Sequence, residues 1–139
     1  MCDLSTRTWT SLQCKNSSEA ISGSGYSVIC KGAELYFIGS LLHEIKILNL
    51  RDLTWRTEML QSQGPSLPEN RISSCVTPFN DKVIVYGGID QAGRTLGDLW
   101  SLCLDSFRWT KISTLEPRSG HSGMQINQSI AFIGGRSYP

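Results

Sequence analysis

Only two histidines, His43 and His121, occur in the 139 residues, and there is no H-E-x-x-H, G-x-S-x-G or phosphate-loop pattern. The groupings that acid–base, nucleophilic or metal chemistry needs are therefore missing. We expect no enzyme, no cofactor and no metal site. Cysteines number five (Cys2, Cys14, Cys30, Cys75 and Cys103), an odd count without a C-x-x-C pair, which indicates neither a disulfide framework nor a zinc site. They read as reduced, half-buried strand residues. An excess of either charge is also lacking. Thirteen Lys and Arg stand singly against twelve Asp and Glu, so the footprint expected for nucleic acid is absent. No apolar run approaches the roughly 18 to 20 residues that span a bilayer, and the polar start has no signal-peptide core. A cytoplasmic or nuclear protein without membrane contact is expected, and the sequons at Asn16 and Asn127 would matter only for a secreted one.

What the sequence does contain is repetition. Apolar runs ending at glycine recur as Leu35-Tyr36-Phe37-Ile38-Gly39-Ser40, Val83-Ile84-Val85-Tyr86-Gly87-Gly88 and Ile130-Ala131-Phe132-Ile133-Gly134-Gly135, with first glycines 48 and 47 positions apart. A tryptophan recurs as Thr8-Trp9-Thr10, Thr54-Trp55-Arg56 and Arg108-Trp109-Thr110, at spacings of 46 and 54. Arg71 and Arg118 each stand sixteen residues before a glycine pair. Repeats of about 40 to 50 residues holding about four short strands, without 3.6-residue periodicity, predict an all-β protein made of propeller blades.

Within one unit the expected strands are 72–79, 82–86, 98–104 and 107–112, separated by Asn80-Asp81, by residues 87–97 and by Asp105-Ser106. Gly39, Gly87, Gly88, Gly134 and Gly135 are expected to make sharp turns at strand ends, where positive φ or close backbone approach is needed. Ser40 breaks the pair, which predicts an altered turn in the first unit. Trp9, Trp55 and Trp109 are expected to pack between neighbouring blades, with each indole N–H reaching a backbone carbonyl. Trp100, outside that register, reads as core.

The double glycine, the later tryptophan and the segment Pro117-Arg118-Ser119-Gly120-His121-Ser122 are similar to the kelch repeat. The tract from Gly97-Asp98-Leu99-Trp100 through Trp109-Thr110-Lys111-Ile112 resembles the subtype of host-cell-factor-like and kelch-domain-containing proteins, and the resemblance covers essentially the whole chain. It implies kelch-type β-propeller blades of four antiparallel strands. It also implies a non-catalytic protein–protein interaction module with a protein or peptide partner, either the substrate-recognising part of a ubiquitin ligase or a scaffold. The alternative is a propeller fragment of a larger enzyme, since fold does not fix function.

The repeats divide a single array, 1–139, into the end of a blade (1–15), two blades (22–60 and 70–114) and the start of another (117–136). Closed propellers have about four to eight blades, so about three blades' worth predicts an incomplete ring, that is a fragment, a truncated isoform or a half-propeller, whose open blade edges invite self-association. Two chains completing a six-bladed ring would be one form of it.

Loops after the second and fourth strands of a blade share a face, so residues 88–97, 61–70 and 115–117 should lie together and form the site. Asp90, Gln91 and Arg94 on the longest loop, with Arg71, Arg118 and His43, are the expected polar binding residues. The competing reading makes them solvated turn residues. For the two arginines it is a structural guanidinium bonding loop carbonyls or an acid such as Glu69 or Glu116. His121 is expected to hydrogen-bond backbone.

Overall fold

The computed structural model describes residues 1–23 and 25–137. Apart from one 3-10 turn at Ser17–Glu19, the regular elements are all strands. A hairpin of β1 (Cys2–Asp3) and β2 (Thr8–Trp9) comes first. One four-stranded antiparallel sheet follows, formed by β3 (Ser27–Lys31), β4 (Glu34–Ile38), β5 (Glu44–Asn49) and β6 (Thr54–Met59). The next sheet holds β8 (Cys75–Phe79), β9 (Lys82–Tyr86), β10 (Asp98–Cys103) and β11 (Arg108–Thr114), with short β7 (Gln61–Ser62) laid parallel on the outer edge of β11. A second hairpin, β12 (Ser119–Ile126) with β13 (Ser129–Arg136), closes the series. Two complete blades and two half-blades make a partial β-propeller.

The repeat is written in the backbone as well as in the residues. Between the first two strands of successive units stand Gly32, Asn80 and Asn127, all left-handed at φ 61°, 55° and 54°. Arg7, Leu53 and Phe107 hold the same conformation in the turn before each repeated tryptophan, at φ 55°, 57° and 54°. A left-handed residue closing a short loop is how such hairpins match the twist of their strands. Asp3 and Asn49 brace two of these turns by accepting the N–H of Ser5 and Arg51. The first strand of the second blade begins at Cys75 rather than at residue 72, because left-handed Ser73 turns the chain and leaves Ile72 in an isolated bridge to Ile89.

Gly87 and Gly88 are left-handed, as are Gly134 and Gly135, whereas Gly39 and Ser40 are not. Gly39 is needed even without a left-handed turn, because a Cβ there would meet the Tyr26 ring at 2.7 Å. Gly87 is required for another reason, since a Cβ there would stand 2.1 Å from the Arg118 carbonyl oxygen. That is where the last hairpin docks on the second blade.

Apolar residues on both faces of the strands are buried where a neighbouring element covers the blade. Tyr36, Ile38, Ile45 and Ile47 of the first blade share one core with Val83, Val85, Leu102 and Trp109 of the second. Phe37, Leu48 and Trp55 form another cluster, under Cys14, Ala20, Ile21 and Tyr26. Trp109 is 0% exposed, and its indole N–H donates to the Leu42 carbonyl at 2.9 Å across the blade boundary. Trp55 is buried in the cluster under Cys14, Ala20, Ile21 and Tyr26, its ring 5.1 Å from that of Phe37. Trp9 departs from the pattern. Its hairpin has the same register, Cys2 facing Trp9 as Leu48 faces Trp55 and Leu102 faces Trp109, but the ring is 82% exposed. Among the described residues no blade covers it. Trp100 is core, and its N–H binds the Asp98 carboxylate.

Candidate binding face

The 88–97 loop is a small hairpin held by one carboxylate. Asp90 Oδ1 accepts the backbone N–H groups of Ala92 (2.9 Å) and Arg94 (2.8 Å), while Oδ2 accepts Arg94 Nε at 2.6 Å. The Arg94 backbone bond, against burial, holds the Asp90 carboxyl below its ordinary range. Bridges from Ile89 to both Thr95 and Ile72 tie the loop to the start of the blade. Arg94 therefore has a fixed stem and a head that is 70% exposed, with Glu69 at 3.5 Å, and Gln91 stands exposed at the tip.

Arg71 is placed beneath this loop. Its side chain is 0% exposed, donating to the carbonyls of Glu69 (2.8 Å) and Gly87 (3.2 Å) and to both oxygens of Asp98. The acid it meets is thus Asp98 across the blade, not Glu69 or Glu116. Burial acts to raise the Asp98 carboxyl, but bonds from Arg71 and Trp100 outweigh it and hold the group below the ordinary carboxylate range. Arg118 donates to the Gly134 carbonyl at 2.8 Å in the corresponding place of the next unit. His43 lies partly buried in the turn before β5, where its carbonyl accepts the Leu60 N–H.

His121 differs from expectation. Neither ring nitrogen has a hydrogen-bond partner among the described residues, because the ring is wedged between Tyr86 and Phe132 at 4.7 and 5.8 Å. Burial, and then the Arg118 charge, push its pKa below the ordinary value. Burial likewise pushes the Cys75 thiol up to about 11, which leaves it protonated.

The loop face carries two adjoining depressions. One, of about 300 Å³, is lined by Ser40, Leu41, Asn70, Ile72 and Gln91 among others, and its neighbour of about 330 Å³ by Glu69, Asn70, Asp90 and Arg94. Of the residues expected here, Arg71, Asp90, Gln91 and Arg94 come together, while Arg118 and His43 sit on the flanking units. Leu41 and Ile72 were not anticipated. Both are exposed apolar residues on this rim, Ile72 at 60%, and the only signal for them was apolar side chains beside a turn. Among the described residues, no group of three or more His, Cys, Asp or Glu is placed to hold a metal ion, and no helix is long and apolar enough to cross a membrane.

No protein-family model matches the chain. It is 31% identical over 130 residues to Kelch domain-containing protein 10 of Xenopus laevis, covering 86% of this chain and 31% of that protein. The chain is kelch-like. Host cell factor homolog hcf-1 of Caenorhabditis elegans is 32% identical over 109 residues, and Host cell factor 1 of Homo sapiens 28% over 136. These alignments cover 68% and 80% of the kelch-like chain but 13% and 7% of the relatives. The chain thus spans less than a third of each of these proteins.

Proposed function

We propose that the kelch-like chain is a non-catalytic recognition module, working in the cytoplasm or nucleus, that takes a peptide segment of a partner protein across the face of residues 40–41, 69–72 and 89–94. The kelch-domain relatives suggest a protein-interaction module in general terms. The observation that carries the finer reading is the pairing of exposed Leu41 and Ile72 with polar groups on a rigid loop. Apolar anchors inside a polar rim are the usual anatomy of a recognition surface. On this reading Gln91 and Arg94 touch the partner, Arg71 and Asp90 position the loops, and Arg118 and His43 extend the surface onto the neighbouring units. Peptide capture is also what a scaffold or the substrate-recognising part of a ubiquitin ligase would require.

We read the repeat units as 1–15, 22–60, 70–114 and 117–136. The outer edge of β13 and a groove of about 680 Å³ beside Ile84, Leu99, Ile112 and Phe132 are then the surfaces that another blade, or another chain, would cover.

Selection of random peptides on the whole chain tests the reading. Peptides should be recovered whose binding is abolished by Leu41→Asp or Ile72→Asp and kept by Ile112→Asp on the open groove. Peptides indifferent to Ile72→Asp, or lost only with Ile112→Asp, would move recognition off this face.

A further inference from the structure

The first blade repeats the register positions of the Arg71 site's acceptors without an arginine, on a turn that at Gly39 and Ser40 is not left-handed. Gly39 follows the last residue of β4 as Gly87 follows that of β9, and Glu44 opens β5 as Asp98 opens β10. The registers agree, since Phe37 faces Lys46 as Val85 faces Trp100. Upstream, left-handed Gly25 lies two residues before β3 and left-handed Ser73 two before β8. Gly23 therefore stands where the second blade has Arg71.

In the second blade the guanidinium fills this space and bridges the Gly87 carbonyl and the Asp98 carboxylate. The first blade has instead a cavity of about 380 Å³, lined by Gly23, Tyr26, Gly39, Ser40, Glu44 and Lys46 among others. That volume falls within the usual range for ligand pockets. Lys46 supplies a cation here but not the missing hydrogen bonds: its ammonium donates to Thr57 Oγ1 at 2.8 Å and pairs with Glu19 at 3.7 Å and with Glu44. Among the described residues the Glu44 carboxylate has that ammonium at 3.9 Å and no hydrogen bond.

We propose that this cavity is a receptor for a guanidinium, filled by an arginine side chain of the bound peptide. The arginine would donate to the Gly39 carbonyl and the Glu44 carboxylate as Arg71 donates within its own blade. A planar fork suits one carbonyl and one carboxylate better than a point-like ammonium does, and the aromatic Tyr26 and Phe37 on the wall suit its flat face. Ser40 and Leu41 line both this cavity and the depression on the loop face, so one extended peptide reaches both. The peptide as occupant rests on the function proposed above, whereas the cavity's preference is testable by itself.

The experiment is a titration of the isotope-labelled full chain with N-acetyl-arginine amide and with N-acetyl-citrulline amide, which keeps the shape and lacks the charge, followed by amide chemical shifts. Saturable shifts clustered at Gly23, Gly39, Ser40 and Glu44 are expected with the arginine amide alone. They should weaken about tenfold or more in Glu44→Gln, as loss of a hydrogen bond to a charged group implies. An equal response to the citrulline amide, shifts scattered away from the cavity, or full binding by a folded Glu44→Gln would overturn the proposal. Should Glu44→Gln fail to fold, the comparison of the two amides on the unaltered chain decides. A silent cavity alongside peptides that need Leu41 and Ile72 would remove the receptor and leave the face. Arginine binding with no peptide recovered would do the reverse.

Discussion

Arg71→Ala should be among the most damaging single changes in the chain. The guanidinium is fully buried, and its removal strands two backbone carbonyls and the Asp98 carboxylate at once. Breaking a buried ion pair from one side costs about 3 to 5 kcal/mol. Asp98 keeps 17% exposure, so water reaches the abandoned carboxylate and the loss should fall near the lower end, about 3 kcal/mol. Urea unfolding followed by tryptophan fluorescence is the assay, helped by Trp100, whose N–H binds Asp98. Asp98→Ala and the double variant complete a cycle, in which the pair should show a coupling of up to about 3 kcal/mol. Acid supplies a second check. The Asp98 carboxyl is held below its ordinary value of 3.8, so its contribution is complete above that pH and is lost as pH falls through the lowered value. A loss under about 1 kcal/mol for Arg71→Ala with an additive cycle would refute the structural role and return Arg71 to the surface.

Trp109→Ala should cost about 3 to 5 kcal/mol, while Trp9→Ala, at an exposed ring, should stay within about 0.5 kcal/mol; equal losses in the same unfolding assay would contradict the burial difference. His121 lies among aromatic rings with its pKa depressed, so the unfolded chain binds the extra proton. Stability should therefore drop as pH falls from 6.5 toward the lowered folded value, and a His121→Phe variant that kept the same pH slope would show another group to be responsible. Gly87→Ala should weaken the docking of the last hairpin by at least about 1 to 2 kcal/mol through φ alone, with the 2.1 Å clash against Arg118 added. Gly134→Ala, with nothing within 4 Å of the added carbon, should cost only the φ penalty, and a thermal melt that ranks Gly134→Ala as the worse of the two would oppose this account.

Much of the fold was legible because blade geometry forces a repeat on the sequence. The apolar run ahead of each glycine turn, the asparagine turns and the tryptophan after a left-handed residue mark the same places in successive units. Individual burial was not legible in the same way. Trp9 and Trp109 share a motif, but their environments depend on whether a neighbouring blade covers them. Arg71 and Arg118 likewise look alike, yet among the described residues only Arg71 meets a carboxylate, because Asp98 comes from the third strand of its own blade. The sequence suggested a charged loop and missed its apolar rim. Ile72 and Leu41 gain meaning only when residues 40–41 and 69–72, about thirty positions apart, meet across the blade boundary.

The central claim is that recognition sits on the loop face and not on the open groove. Its most direct test is an amide chemical-shift map of the full chain saturated with a peptide recovered by selection. The account predicts shifts concentrated at Ser40, Leu41, Asn70, Ile72 and 89–94. Shifts concentrated instead at Ile84, Leu99 and Ile112 would contradict it and make the uncovered blade face the binding surface.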